Sequence, residues 1–241
     1  MAADLYLLGS GIRGTLQMTE ETRQALSVSR VIYVLHNDEL VHKELARFAE
    51  VRSFADLYDG ATHRPDVYRE MSQVLVEEAA KGPGVAFVVH GHPLFLVSAT
   101  EYTIELAESR GLRVSLIPGV SSFDTLLCDL GIDLGYALQM YDASTLIQGA
   151  YTLDPRVPTL VFQLATTLNA SVTRGEVDAA VLQPLVDYLV RYFPEEHPCT
   201  VVHSGATLLE RTEKVETTLG LLASSPVDLR FRPTMFIPAV R

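Results

Sequence analysis

The sequence predicts an α/β fold in two parts. Three observations point there: apolar strand-like runs alternate with helix-like runs from the start, the alternation loses its rhythm after about residue 130, and eight prolines fall in the second half. Continuous apolar strands separated by helices indicate a parallel sheet covered on both faces. The shift in rhythm and composition places a second α/β domain, with a mixed sheet, from about residue 135, so the expected domains are 1–134 and 135–241. A chain of 241 residues is long enough for two such parts with real cores.

The elements follow in order. LYLLG (5–9) reads as a buried strand, 19–29 as a helix capped by Thr19, VIYVL (31–35) as a second strand and VHKELARFA (41–49) as a helix. A long helix runs from near Pro65 to Lys81: Pro65 suits an opening helical position, Asp66 faces the positive helix end, and Gly82 suits the stop. VAFVV (85–89) is an apolar, β-branched strand, 97–110 a helix ended by Gly111, VSLI (114–117) a strand, and 121–130 a helix closed by Gly131. In the second half TLVFQLA (159–165), CTVVHS (199–204) and TMFIPAV (234–240) read as strands, with one long helix over roughly 176–192.

Composition narrows the function. A formal net charge of −11 disfavours a protein that tracks nucleic-acid phosphates. No apolar run approaches the roughly 18–20 residues that span a bilayer. MAADLYLLGSG carries no basic leader region and runs straight into a strand, so no signal peptide, no membrane association and a cytoplasmic location are expected. Cys128 and Cys199 show no paired spacing and read as reduced thiols.

Three strand–loop junctions carry the chemistry. Gly9-Ser10-Gly11-Ile12-Arg13-Gly14 matches G-x-G-x-x-G, and Asp38 follows the next strand, as in a nicotinamide-dinucleotide fingerprint. That fingerprint needs a helix opening inside the motif to meet the pyrophosphate. Here Thr15 to Met18 intervene, and Glu20 and Glu21 at the helix start oppose an anion, so a tight loop beside a ligand is the better reading. His90-Gly91-His92-Pro93 follows VAFVV at the carboxyl end of a parallel strand, where open α/β sheets place ligands. Its two histidines lack further ligands at metal spacing, and no metal is expected. Ile117-Pro118-Gly119-Val120-Ser121-Ser122 links a strand to a helix that Ser121 and Ser122 can cap.

In this order, a glycine loop, a Gly-[Asp/His]-Pro turn and an I-P-G-V-S-S loop resemble the tetrapyrrole methylase family. Gly91-His92-Pro93 in place of Gly-Asp-Pro, SSFDTLLCDLGIDLG (121–135) and RPDVYREM (64–71) resemble the borosin-type peptide backbone N-methyltransferases within it. The resemblance implies a two-domain α/β enzyme, usually a homodimer, that binds S-adenosylmethionine in a cleft between a parallel-sheet and a mixed-sheet domain and releases S-adenosylhomocysteine. The positions matching its cofactor contacts are His90, His92, Phe95, Ser98, Ser121, Ser122, Gln163, Ala206, Pro233 and Thr234. Its catalytic positions match Arg64, Tyr68, Tyr58 in the loop before them, and His90, where borosin-type enzymes usually carry tyrosine. Arg64 and Tyr68, four apart at a helix start, share a face. Arg64 can stabilise an imidate-like oxygen and Tyr68 can handle the amide proton. Because the sequence ends at Arg241 without a fused substrate segment, a peptide acceptor is expected as a separate molecule. A tetrapyrrole or other small acceptor, and an idle cofactor-binding scaffold, remain open alternatives.

Overall fold

The computed structural model describes residues 3–35, 39–172, 175–207, 209–230 and 232–240, and Asp38 of the expected fingerprint lies outside them. The chain forms two compact units, Met1–Thr125 with Ala206–Leu208, and Leu126–Gly205 with Leu209–Arg241. The division falls inside a helix, whereas the sequence reading divides the chain after 134.

The first unit runs β1 (Leu5–Gly9), α1 (Glu20–Ser27), β2 (Val31–Val34), α2 (Glu39–Leu45), β3 (Glu50–Ser53), α3 (Ala55–Gly60), α4 (Arg64–Ala80), β4 (Val85–Val89), α5 (Ser98–Ser109), β5 (Val114–Ile117) and α6 (Ser122–Leu130), which crosses the division. The strands form one sheet in the order β3-β2-β4-β1-β5, with every pairing parallel. Alternate residues feed two cores, as a period of two requires. Leu5, Leu7, Phe87 and Val89 pack with α4 and α5 residues such as Met71, Leu75 and Ala99. Tyr6, Leu8, Ala86 and Val88 pack with Leu26, Val41 and Leu45.

The punctuation expected of the sequence is present. Thr19 Oγ1 accepts from the Thr22 amide and caps α1, Pro65 lies in the first turn of α4, and Gly82 and Gly111 follow α4 and α5 with positive φ. Between α4 and α5, Ser72 Oγ lies 2.8 Å from the Tyr68 carbonyl and 3.2 Å from that of Ala99, and Thr103 Oγ1 donates to Ser72 Oγ at 3.0 Å. This fixes the first turns of α4 against the start of α5.

The second unit contains β6 (Gln139–Asp142), α7 (Ala143–Gln148), β7 (Thr159–Phe162), α8 (Gln183–Leu189), β8 (Pro198–His203), β9 (Glu213–Thr218) and β10 (Thr234–Ile237). Its sheet has the order β6-β7-β10-β8-β9. Only β6 with β7 is parallel, so the sheet is mixed. Leu146, Val161, Leu185, Leu189, Val201 and Met235 lie in its core.

The long helix expected over 176–192 is corrected here. Asp178 caps a 3-10 turn over Ala179–Leu182, and the α-helix is only Gln183–Leu189. Pro184 explains the break: its ring would collide with the carbonyl four residues back, so a regular helix can start at this proline but not run through it. The three expected strands also end earlier, β7 at Phe162 and β10 before Pro238.

Candidate functional site

The carboxyl ends of β4, β1 and β5 are adjacent in the sheet, and the three loops that leave them meet. The His-Gly-His-Pro turn and the Pro-Gly loop come from β4 and β5, which are not neighbours; β1 lies between them. Both loops close over the end of β1, and Gly9 permits it. A Cβ on Gly9 would collide with the Gly91 carbonyl oxygen and lie 2.6 Å from the Gly119 nitrogen. A Cβ on Gly119 would lie 2.6 Å from the same Gly91 oxygen. Gly11 and Gly91 exchange amide hydrogen bonds of 3.2 and 3.0 Å, and the Ser10 amide donates to the Val89 carbonyl at 2.9 Å. The site floor is therefore backbone packed on backbone.

The glycine loop does not open a helix in the dinucleotide manner. Gly14–Gln17 is a 3-10 turn, and α1 begins only after Thr19. The Gln17 side-chain oxygen accepts from the amides of Ile12 and Arg13, both at 2.9 Å, and locks the loop. Spacing alone gave no signal for this role of Gln17.

In the turn, His90 is exposed, Gly91 has φ +77°, and Leu96 has φ +60°. His92 Nδ1 accepts from the Leu94 amide at 3.0 Å, and the Phe95 amide donates to the His92 carbonyl at 3.1 Å. One nitrogen of His92 is thus used to shape the turn that delivers Phe95 and, at the start of α5, Ser98. Ser121 is buried, and its amide and hydroxyl both donate to Asp124 Oδ2 at 2.7 Å while Ser121 Oγ lies 3.2 Å from the Asp124 amide. This is a reciprocal capping box. Asp124 is a residue the sequence reading missed, although S-x-x-D was its signal. Ser122 is the first residue of α6.

Arg64 opens α4, and Tyr68 lies one turn on. Tyr58 lies in helix α3, not in a loop as expected, because Ala55–Gly60 closes one and a half turns on the Phe54 carbonyl. The rings of Tyr58 and Tyr68 stack with centroids 6.1 Å apart and planes 25° apart. The structure thus brings the two tyrosines together, and the Ser72 bridge sets the helix of Tyr68 beside Ala99, the residue that follows Ser98.

In the second unit, Gln163 follows β7 in a left-handed conformation, φ +59°, and its carbonyl accepts from the Thr166 amide and hydroxyl at 3.0 and 3.1 Å. Met235 pairs with Val161, so buried Pro233 and Thr234 enter β10 beside the exit of β7. Thr234 also pairs with Val202 of β8; exposed Ala206, three residues past that strand in sequence, is counted with the first unit. Gln163, Pro233 and Thr234 therefore share one edge of the mixed sheet. Among the described residues, no three His, Cys, Asp or Glu side chains are grouped to hold a metal ion, and no helix is long and apolar enough to cross a membrane.

Comparison with known proteins bears on the fold. A methyltransferase/type I borosin cyclic peptide precursor from Cerrena unicolor is 28% identical over 97% of this chain. The chain spans 58% of that relative's length. Uroporphyrin-III-C-methyltransferase from Thermus thermophilus superimposes with a TM-score of 0.69 at 18% identity, covering 99% of this chain and 93% of that one. The Thermus enzyme solved with S-adenosylhomocysteine gives a TM-score of 0.64 at 19% identity, covering 97% and 96% of the two chains. The model of the tetrapyrrole (corrin/porphyrin) methylases matches residues 4–223. With its parallel sheet, its mixed sheet and the three converging loops, the chain belongs to the tetrapyrrole methylase family and has the fold of its S-adenosylmethionine-dependent methyltransferases.

Proposed function

We propose that this protein is an S-adenosylmethionine-dependent methyltransferase that methylates backbone amide nitrogens of a separate peptide. The observation that carries the reading is the convergence of the Gly9, Gly91 and Gly119 loops, backbone on backbone, at the carboxyl edge of the parallel sheet. Such a floor fits a cofactor held mainly by main-chain groups, because no side chain at these glycines obstructs the approach. His90, His92, Phe95, Ser98, Ser121, Ser122 and Ala206 of the first unit, with Gln163, Pro233 and Thr234 of the second, would hold it. The similarity to a borosin precursor supports the peptide as acceptor.

When bound, the cofactor supplies a methyl group on a positively charged sulfur. An amide nitrogen is a weak nucleophile because its lone pair is delocalised into the carbonyl. The chain's own residues address that weakness. Arg64 donates to the acceptor carbonyl oxygen and stabilises the negative charge that builds there. Tyr68, held by its stack on Tyr58, takes up or orients the departing amide proton. His90, exposed at the turn, offers a hydrogen-bonding imidazole where borosin-type enzymes carry a phenol. That departure favours a second reading, a small anionic acceptor of the tetrapyrrole kind.

Two measurements test the proposal. Calorimetry with S-adenosylhomocysteine should show binding, and its absence would sink both readings. Mass spectrometry of a co-expressed precursor peptide should show added methyl groups on backbone nitrogens. Uroporphyrinogen methylated in place of the peptide selects the second reading. Arg64→Ala should lower turnover by a hundredfold or more, about 3 kcal/mol, and leave S-adenosylhomocysteine binding unchanged. Lost cofactor binding would move Arg64 to another role.

A further inference from the structure

The acceptor's chemistry is written in the glycine loop as well. Among the described residues eight arginines pair with acids, among them Arg23 with Glu44, Arg30 with Glu78, Arg52 with Glu50, Arg69 with Asp66, Arg113 with Asp4, and Arg156 with Asp154. Arg13 is not one of them. It is half-buried, its Nε is shut off from solvent, and that atom makes no hydrogen bond among the described residues. Its backbone is pinned by Gln17, so the side chain projects from a fixed point beside the Gly11–Gly91 bridge. A buried donor on a full charge, left without an acceptor, is costly unless a ligand satisfies it. A guanidinium at the carboxyl edge of a parallel sheet matches a carboxylate, which it can grip through two parallel hydrogen bonds.

We propose that Arg13 recognises a carboxylate on the methyl acceptor. The inference rests on the reading of this chain as a methyltransferase. S-adenosylmethionine is a poor match for an unneutralised guanidinium, since its sulfonium and ammonium outweigh its single carboxylate and leave it net positive. An anionic acceptor balances the charge that Arg13 and the sulfonium together place at the site. The carboxylate belongs to an acidic side chain of a peptide or to a propionate or acetate arm of a tetrapyrrole; the chemistry is shared.

The test uses the full chain loaded with S-adenosylhomocysteine. The probes are two synthetic peptides that differ by one glutamate against glutamine, and uroporphyrin III. Wild type should bind the glutamate peptide or uroporphyrin III more tightly than the glutamine peptide. Arg13→Gln should weaken that binding about tenfold, and Arg13→Lys should restore part of it. Affinity for S-adenosylhomocysteine should stay within about twofold, and the melting temperature of the unliganded variant should not fall, because the variant removes an unsatisfied group. A response in the peptide arm assigns the carboxylate to a side chain; a response in the porphyrin arm alone assigns it to a tetrapyrrole. The proposal fails if Arg13→Gln weakens S-adenosylhomocysteine itself, if it lowers the melting temperature, or if wild type and variant bind all probes alike. Wild type that binds no S-adenosylhomocysteine sinks this inference together with the methyltransferase reading; binding without any Arg13 effect sinks this inference alone.

Discussion

Each unit is built on a five-stranded sheet, yet the two join their elements by different means. In the first, parallel strands feed loops that fold onto one another through bare main chain at Gly9, Gly91 and Gly119. In the second, side-chain hydrogen bonds join elements that the sheet does not. Asp129 accepts from Ser204 Oγ and, at 2.6 Å, from Thr212 Oγ1, which ties α6 to the stretch beyond β8. Tyr188 Oη donates to the Tyr151 carbonyl at 2.7 Å. A main-chain joint tolerates no added atom, whereas a side-chain joint can lose a bond and keep its shape.

The sharpest way to break this contrast is to add a methyl group to the joint. Gly9→Ala or Gly119→Ala should destabilise the protein by about 3 kcal/mol and abolish S-adenosylhomocysteine binding, since the obstructing atoms are backbone. Denaturant titration and calorimetry read both effects. A well-folded Gly9→Ala that binds normally would refute the main-chain joint. Cutting the side-chain joint should cost less: Asp129→Ala should destabilise by about 2 kcal/mol, with faster amide exchange around β8 and an intact parallel sheet.

Acid should separate the units by where each begins to weaken. Hydrogen bonds from Lys81 and Arg30 hold the Glu78 carboxyl at about 2, below its ordinary 4.5. A depressed carboxylate stabilises above 4.5, and that share is lost as pH falls toward 2. In the second unit, burial pulls the His203 imidazole below its ordinary 6.5, against the pull of Asp228 and Glu213. Folding there favours the neutral ring, so its share fades as pH falls below about 6.5. Hydrogen exchange followed from pH 7 to 3 should therefore loosen β8 before α4, and His203→Gln should remove the early phase. At the small end, Gly60→Ala, where a Cβ meets nothing within 4 Å, should stabilise by about 0.5 kcal/mol, read as a small rise in the denaturant midpoint.

Legibility in the sequence follows the same divide. β1, β2, β4 and β5 were readable because a parallel sheet is marked by short apolar runs, and α4 and α5 because Pro65, Gly82 and Gly111 punctuate them. The edge strands β3 (EVRS), β6 (QMYD) and β9 (EKVETT) were missed, since one side of each lacks a strand partner and their side chains are polar or half-exposed. The three loops could be recognised from their motifs. That they meet could not, because β1 separates β4 from β5 and only the smallness of Gly9 closes the gap. Asp124 was legible and overlooked, whereas Gln17 and the orphaned Nε of Arg13 depend on distances that spacing does not encode.

A floor made of main chain has no side chain for mutation to adjust by degrees. At Gly9 and Gly119 the only choices are the atomless residue or a wrecked joint, so these codons can be kept or lost but not tuned. Around them the rim residues, exposed His90 and half-buried Arg13 among them, can change without touching that joint. A protein built this way can vary the rim of its candidate site through many substitutions while the joint beneath it admits none.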